Sequence, residues 1–353
     1  MAHSSMLHGG EIYGDAKITH DFSVNINPLG APQNVIERLH ESLASIEQYP
    51  DRLCMELRAA LENAYGVDRD RILCGSGASE LIQLAVAAVR PKQVLLLAPS
   101  FLGYEKAAKA FGADIEWYFL EREENLLLSN RYLAFLDKIS PDMVILCSPS
   151  NPAGSRIETE LILEIADVCE KKKIALMMDE CFNGLTIEDS DESIRYLVNS
   201  NRYLMIADAF TKRFAIPGLR LGYLFSSNEE WMEKMREIQT EWSVSSLAQI
   251  AGVEALKTPD IYLKKSRELI KRERGYLVNE LKKMNFRVYP GIANFILFET
   301  EKEIFQPLFA EGILIRHCGN YMGLDDNFYR VAVKPHEENV VLTEALKRIC
   351  EAE

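Results

Sequence analysis

The run Ala209-Phe210-Thr211-Lys212-Arg213-Phe214-Ala215-Ile216-Pro217-Gly218-Leu219-Arg220-Leu221-Gly222-Tyr223 decides how the rest of this 353-residue chain is read. An apolar run at 203–207, of strand length, precedes it. Pro217-Gly218 then marks a turn, and apolar residues resume around Arg220. Lys212 therefore stands at the exit of a strand. A lysine next to cationic groups in a partly dry site has its pKa lowered, and its amine becomes nucleophilic toward an aldehyde. A lone lysine is far more often an ordinary solvated side chain, so the surrounding pattern must carry the case.

Outward from this run, short apolar stretches at 93–98, 143–148, 174–178, 203–207 and 219–225 alternate with amphipathic stretches such as 80–89 and 158–171. Apolar runs separated by helices predict parallel strands buried on both faces, an α/β layered plan in which ligands bind beyond the carboxyl ends of the strands. Residues 257–284 read as a long charged helix. Strand candidates follow at 286–290, 294–298 and 328–333, with a closing helix from about 336 to 350. The expected organisation is a large domain over 45–255 and a smaller α/β domain formed by 1–44 with 256–353. No internal repeat or low-complexity tract interrupts it.

The bulk composition excludes several classes. A net charge of −13 disfavours non-specific binding to nucleic acid or to an anionic membrane. An anionic substrate would need locally concentrated positive groups. The seven cysteines form no Cys-x-x-Cys pair and have no histidine at metal-ligand spacing, so reduced thiols and no metal are expected. No signal-type apolar core opens the chain and no stretch approaches membrane-span length, as expected of a cytoplasmic protein.

Other segments read in the same direction. Gly75-Ser76-Gly77-Ala78-Ser79-Glu80 ends a strand and opens a helix, a place where backbone N–H groups and the helix end can hold a phosphate. By itself a Gly-x-Gly turn is more often only a tight turn. Asp179 closes the apolar run 174–178, where a helix cap or a surface acid is the plain alternative.

Taken with these, the 209–223 run resembles the Schiff-base segment of fold-type I pyridoxal-phosphate enzymes of the class I/II aminotransferase superfamily, with the pattern Ser-x-(Ser/Thr)-Lys, several residues, then Gly-(Leu/Ile)-Arg-x-Gly. The correspondence spans nearly the whole chain. It implies that Lys212 carries pyridoxal 5'-phosphate, and that Asp179 pairs with the pyridine nitrogen and keeps the ring an electron sink. It further implies that Gly77, Ala78, Ser79, Thr211 and Arg220 hold the cofactor and that Asn151 hydrogen-bonds the ring hydroxyl. Tyr104, with Phe101 as its competitor, would stack on the ring face. Tyr49 resembles the tyrosine that reaches a neighbouring subunit's cofactor phosphate, which implies a homodimer. Arg330 matches the arginine whose fork binds the substrate α-carboxylate. Asn27 and Asn151 are expected at the substrate with it.

Within this superfamily the chain is most similar to the branch of histidinol-phosphate aminotransferases and threonine-phosphate decarboxylases. His8-Gly9-Gly10, the segment 21–30, Phe182 and Ile216-Pro217 resemble the decarboxylases. The implied reaction is decarboxylation of an O-phosphorylated amino acid, threonine phosphate or a relative such as phosphoserine, to a phosphorylated amino alcohol for corrinoid synthesis. Amino transfer of the histidinol-phosphate type is the alternative, and a non-catalytic cofactor-binding protein the third. Departures stand at Ala209, where the family has Ser or Thr, at Met322, where a basic residue is expected, and at Lys334 and His336, where arginines are common. The substrate phosphate is therefore expected at His8, Arg316 and Lys334.

Overall fold

A computed structural model describes residues 9–10, 17–188 and 192–351. In chain order its strands are β1 (His20–Asp21), β2 (Ile72–Gly75), β3 (Gln93–Ala98), β4 (Asp114–Phe119), β5 (Met143–Cys147), β6 (Ala175–Asp179) and β7 (Leu204–Ala209), followed by β8 (Gly222–Ser226), β9 (Arg287–Val288), β10 (Phe295–Glu299), β11 (Ile313–Leu314), β12 (Arg316–His317) and β13 (Phe328–Ala332).

Seven strands form one sheet in the order β2-β8-β7-β6-β5-β3-β4. Neighbours from β7 across to β4 run parallel, and β8 lies antiparallel between β7 and β2. The apolar runs explain this directly. Val94, Leu96, Met143, Ile145, Met177 and Met205 belong to one apolar cluster, while Leu95, Leu97, Val144, Leu146, Met178 and Ile206 belong to another. Alternate residues of each strand thus enter cores on the two faces, so the strands read as continuous apolar runs. β4 is the exception. As the edge strand it is half-exposed along most of its length, and it escaped a reading that looks for unbroken apolar runs.

The strand expected at 219–225 starts later, at Gly222, because Pro217–Leu219 form a single tight helical turn and Arg220 takes a left-handed conformation with φ 54°. The long helix Asp260–Lys283 and the closing helix His336–Glu351 flank a second, antiparallel sheet in the order β12-β13-β10-β9. Leu277, Leu281, Ile296, Phe298, Val331, Leu342 and Leu346 make its core. β1 pairs in parallel with β11, His20 opposite Ile313. The helix Gln33–Glu41 instead reaches the helix Ser246–Leu256, where Asn34 Nδ2 donates to the Glu254 carbonyl at 3.1 Å. The N-terminal segment therefore touches both sheets' layers.

Candidate active site

The carboxyl ends of β3, β5, β6 and β7, together with the turn after β2, open onto one cavity of about 360 Å³, and the second sheet supplies its far wall through β12 and β13. This is where an α/β sheet presents its ligand site. Lys212, Asp179, Tyr104, Ala78, Ser79, Asn151, Thr211, Arg220, Arg316 and Arg330 all line it.

Lys212 lies in the helical turn Phe210–Arg213 that directly follows β7. Its ammonium is pushed down to about 8, first by burial and then by the charges of Arg330 and Arg220, with Cys181 acting the other way. Asp179 ends β6 and is buried. Its Oδ2 accepts from the Tyr104 hydroxyl at 2.6 Å and its Oδ1 from the Cys181 N–H at 3.0 Å. Burial, and next the Asp179 charge, raise the Tyr104 phenol well above its ordinary value, so Tyr104 is a donor here. Phe101 packs edge-on against Tyr104 with ring centroids 5.4 Å apart. Burial likewise raises the Cys147 and Cys181 thiols that flank Asp179, which keeps them protonated.

At the opposite end, the turn Gly75–Gly77 leads into the helix Ala78–Val89, and no side chain caps that helix. The Ser76 N–H is already bonded by Glu80 Oε2 at 2.6 Å. Ala78 and Ser79, whose first-turn amides have no acceptor within the helix, line the cavity, the place where a helix start can cradle an anion. Two glycines make room for it. Gly77 has φ +80°, and a Cβ there would lie 2.6 Å from Arg220 Nη2; a Cβ on Gly222 would lie 2.7 Å from the Ala78 nitrogen. Arg220 therefore packs against the phosphate-type turn, and β8 passes directly under it. Ala209 also faces the cavity but offers no hydroxyl, whereas Thr211 does.

The second sheet brings two arginines. Arg316 and Arg330 are direct cross-strand partners in β12 and β13, and both are buried. Arg330 donates through Nη1 to Asn151 Oδ1 and through Nη2 to the Ser23 carbonyl at 2.8 Å. Arg316 donates to Asn320 Oδ1 at 2.7 Å and stands over the Tyr321 ring. Like charges directly opposite each other in a sheet cost stability.

Several expected residues sit elsewhere. Asn27 does not line the cavity. Its Nδ2 donates to the Arg213 carbonyl, the Tyr262 hydroxyl and Ser266 Oγ, and its Oδ1 accepts from the Leu29 N–H. All its capacity goes into pinning the backbone beside Lys212, so the expectation of a substrate contact is corrected. Asn25, two residues earlier, lines the cavity instead, and its Oδ1 is buried without a hydrogen-bond partner. Sequence reasoning missed it, together with Ser23 and Tyr321. Tyr49 is 80% exposed and packs on Trp242 away from the cavity. Lys334 does not line the cavity, and His336 contacts Glu273 Oε2 at 3.0 Å. His8 lies outside the described residues.

The cavity fits pyridoxal 5'-phosphate: an amine of lowered pKa, a buried carboxylate, aromatic walls and an uncapped helix start crowded by Arg220. The Arg330 Nε and Asn25 Oδ1, both buried and without partners among the described residues, leave polar capacity for a substrate beside it. The seven cysteines are free thiols, and no helix is long and apolar enough to cross a membrane among the described residues. Among them also, no group of three or more His, Cys, Asp or Glu residues could hold a metal ion.

Comparison with known proteins places this geometry. The family described as aminotransferase class I and II matches residues 17–349. The threonine-phosphate decarboxylase of Salmonella typhimurium is 34% identical over 99% of this chain and 98% of its own length. The adenosylcobalamin biosynthesis bifunctional protein of Leptospira interrogans is 30% identical over 93% of this chain, which spans 38% of that longer protein. The crystal structure of a histidinol-phosphate aminotransferase from Clostridium acetobutylicum superposes with a TM-score of 0.87 at 32% identity, covering 95% of this chain and all of that one.

Proposed function

The chain belongs to the aminotransferase class I and II family of pyridoxal 5'-phosphate enzymes, and from that premise we propose that it decarboxylates an O-phosphorylated amino acid, L-threonine O-3-phosphate or phosphoserine. The product is a phosphorylated amino alcohol for cobalamin-type biosynthesis. The observation that carries this reading is the pair Arg316 and Arg330, buried and opposed on the wall facing Lys212. Two cations in one pocket suit a substrate that is anionic at both ends. The likeness to a threonine-phosphate decarboxylase along almost the whole chain supports the same choice.

When bound, the cofactor weakens whichever Cα bond stands perpendicular to its ring. The protein's task is to choose that bond. Arg330, held by Asn151 and the Ser23 carbonyl, grips the α-carboxylate bidentately and sets its rotation about Cα. Arg316 takes the phosphate end, with His8 as a further contributor. Asp179 keeps a proton on the ring nitrogen. Tyr104, which hydrogen-bonds Asp179, closes one side of the site and excludes water. The Lys212 ammonium, its pKa lowered to about 8, would return a proton to Cα once carbon dioxide has left.

The second reading is amino transfer of the histidinol-phosphate type. It is favoured by the close fold match to such an enzyme, and it uses the same cavity with the Cα–H bond held perpendicular. Incubation with phosphothreonine, phosphoserine and histidinol phosphate, with and without 2-oxoglutarate, separates the two. Carbon dioxide release without the acceptor supports the lyase; strict acceptor dependence overturns it. The reading extends to a cytoplasmic homodimer in which exposed Tyr49 reaches the partner's cofactor phosphate. It also takes the two sheets as the cores of a large domain over 45–255 and a small one over 1–44 with 256–353. Sedimentation at assay concentration should show a dimer, and Tyr49→Phe should weaken cofactor retention.

A further inference from the structure

Lys212 and Arg213 are consecutive in one helical turn, so their side chains diverge by about 100°. Lys212 enters the cavity; Arg213 runs the other way into the protein and is 4% exposed. Its guanidinium is gripped from several elements. Nη2 donates to the Asn183 carbonyl at 2.9 Å and to Asp208 Oδ2 at 3.3 Å, and Nη1 donates to the Tyr65 hydroxyl at 3.1 Å. Asp208 Oδ2 also accepts from the Tyr223 hydroxyl at 2.8 Å, and Oδ1 accepts from the Ala209 N–H at 2.6 Å. The backbone of Gly184 (φ +87°) passes so close that a Cβ would sit 3.1 Å from Arg213 Nε.

These contacts link four pieces of chain. Asp208 is in β7 and Tyr223 in β8, Tyr65 ends the helix Met55–Tyr65, and Asn183 belongs to the turn that follows Asp179. That turn holds Asp179 from the other side, through the Cys181 N–H. Arg213 therefore ties the segment bearing Asp179 to the segment bearing Lys212. We propose that Arg213, clamped by Asp208, is a positioning residue that sets the Lys212 amine against the Asp179 carboxylate. The proposal rests on the reading that Lys212 carries the cofactor.

Stability alone explains the arrangement poorly. A buried ion pair is generally no more stabilising than well-packed apolar residues of the same volume. An apolar residue at 213 would fill the space, but it could not hold the Asn183 carbonyl. Directional bonds to a backbone carbonyl and two side chains fix position, and small errors of position are costly for chemistry.

The test uses full-length protein loaded with pyridoxal 5'-phosphate, with Arg213→Met/Asp208→Asn as the main variant. Removing both charges leaves no unpaired buried carboxylate. Arg213→Lys keeps the charge but cannot span all three partners at once. Three readouts are taken: the melting temperature of the cofactor-free protein, the pH midpoint of the visible absorbance of the loaded protein, and kcat and KM for phosphothreonine. In the double variant the absorbance midpoint should move and kcat should fall about tenfold, with KM within about twofold of wild type. Arg213→Lys should recover part of both. A folded double variant with wild-type midpoint and kcat overturns the proposal. If the double variant does not fold, Arg213→Lys decides: a shifted midpoint at an unchanged melting temperature supports positioning, and an unshifted one overturns it. Lys212→Ala separates this from the premise, because retained visible absorbance in that variant defeats the cofactor assignment itself.

Discussion

Arg213 and the pair Arg316–Arg330 are all at least nine-tenths buried, at 4%, 4% and 5% exposure, yet they stand in opposite electrostatic settings. Behind Lys212, Arg213 closes onto Asp208, and two tyrosine hydroxyls complete the cluster. In front of Lys212, Arg316 and Arg330 oppose each other across neighbouring strands, and the acceptors of their bonds described above are uncharged: Asn320, Asn151 and a carbonyl. The first cluster pairs its cation with a carboxylate of the same chain. The second concentrates positive charge in a protein whose net charge is −13. A buried cation matched by its own carboxylate speaks of architecture; two buried cations brought together on the wall of an open cavity suit an anion that arrives from outside.

The most severe way to test which side of the turn carries chemistry is Lys212→Ala. Loss of the nucleophilic amine should remove the visible absorbance of the loaded protein and lower turnover by about ten-thousandfold. A yellow, active variant would place the chemistry elsewhere and dissolve the comparison.

Next comes stability. Arg213→Met alone leaves Asp208 buried and unpaired, which should cost about 3–5 kcal/mol in denaturant unfolding of the cofactor-free protein. Burial already drives the Asp208 pKa up, and Arg213 is the leading force against that rise. Arg330→Met, by contrast, strips the Ser23 carbonyl and Asn151 Oδ1 of a donor but leaves neither of them charged, so it should cost less, about 1–3 kcal/mol. Equal losses in the two variants would erase the distinction between the clusters.

Smaller effects sharpen the front cluster. Arg316→Gln should lower kcat/KM for a phospho-amino acid by ~10- to 100-fold, the equivalent of about 1.5–3 kcal/mol for one charged hydrogen bond, and spare the unphosphorylated parent. Arg330→Gln should penalise both, since both carry the carboxylate. A phospho-to-parent ratio that stays fixed in Arg316→Gln would remove the phosphate from this wall.

The two clusters were also unequally legible. Lys212 and Asp179 stand at the ends of buried parallel strands, and the apolar runs before them mark those ends, so both could be found by reading along the chain. The pairing of Arg316 with Arg330 depends on the register of β12 against β13, which no local pattern encodes. Asn25 and Asn27 show the same limit at short range. Both lie in one turn-rich segment. Only the docking of that segment against Tyr262 and Ser266 determines that Asn27 turns inward and Asn25 lines the cavity. The Arg213–Asp208 cluster joins residues from four segments, and a reader of the sequence sees only one more arginine beside the lysine. β4 was hidden for a different reason: an edge strand needs no unbroken apolar run.

The mildest prediction concerns pH and depends on the front cluster directly. The Lys212 amine has its pKa pulled from 10.5 to about 8, by burial first and then by Arg330 and Arg220. Only the neutral amine attacks an aldehyde. Capture of pyridoxal 5'-phosphate by the cofactor-free protein should therefore accelerate about tenfold per pH unit below that midpoint and level off above it. An unshifted lysine would still be accelerating past pH 10. Arg330→Gln removes a positive neighbour, which eases protonation of Lys212, so the midpoint should move to higher pH while the plateau rate stays. Stopped-flow absorbance across pH 6.5 to 10.5, in wild type and Arg330→Gln, measures both. A midpoint that Arg330→Gln leaves in place would mean that burial alone tunes the lysine, and that the arginine pair acts on substrate without priming the amine.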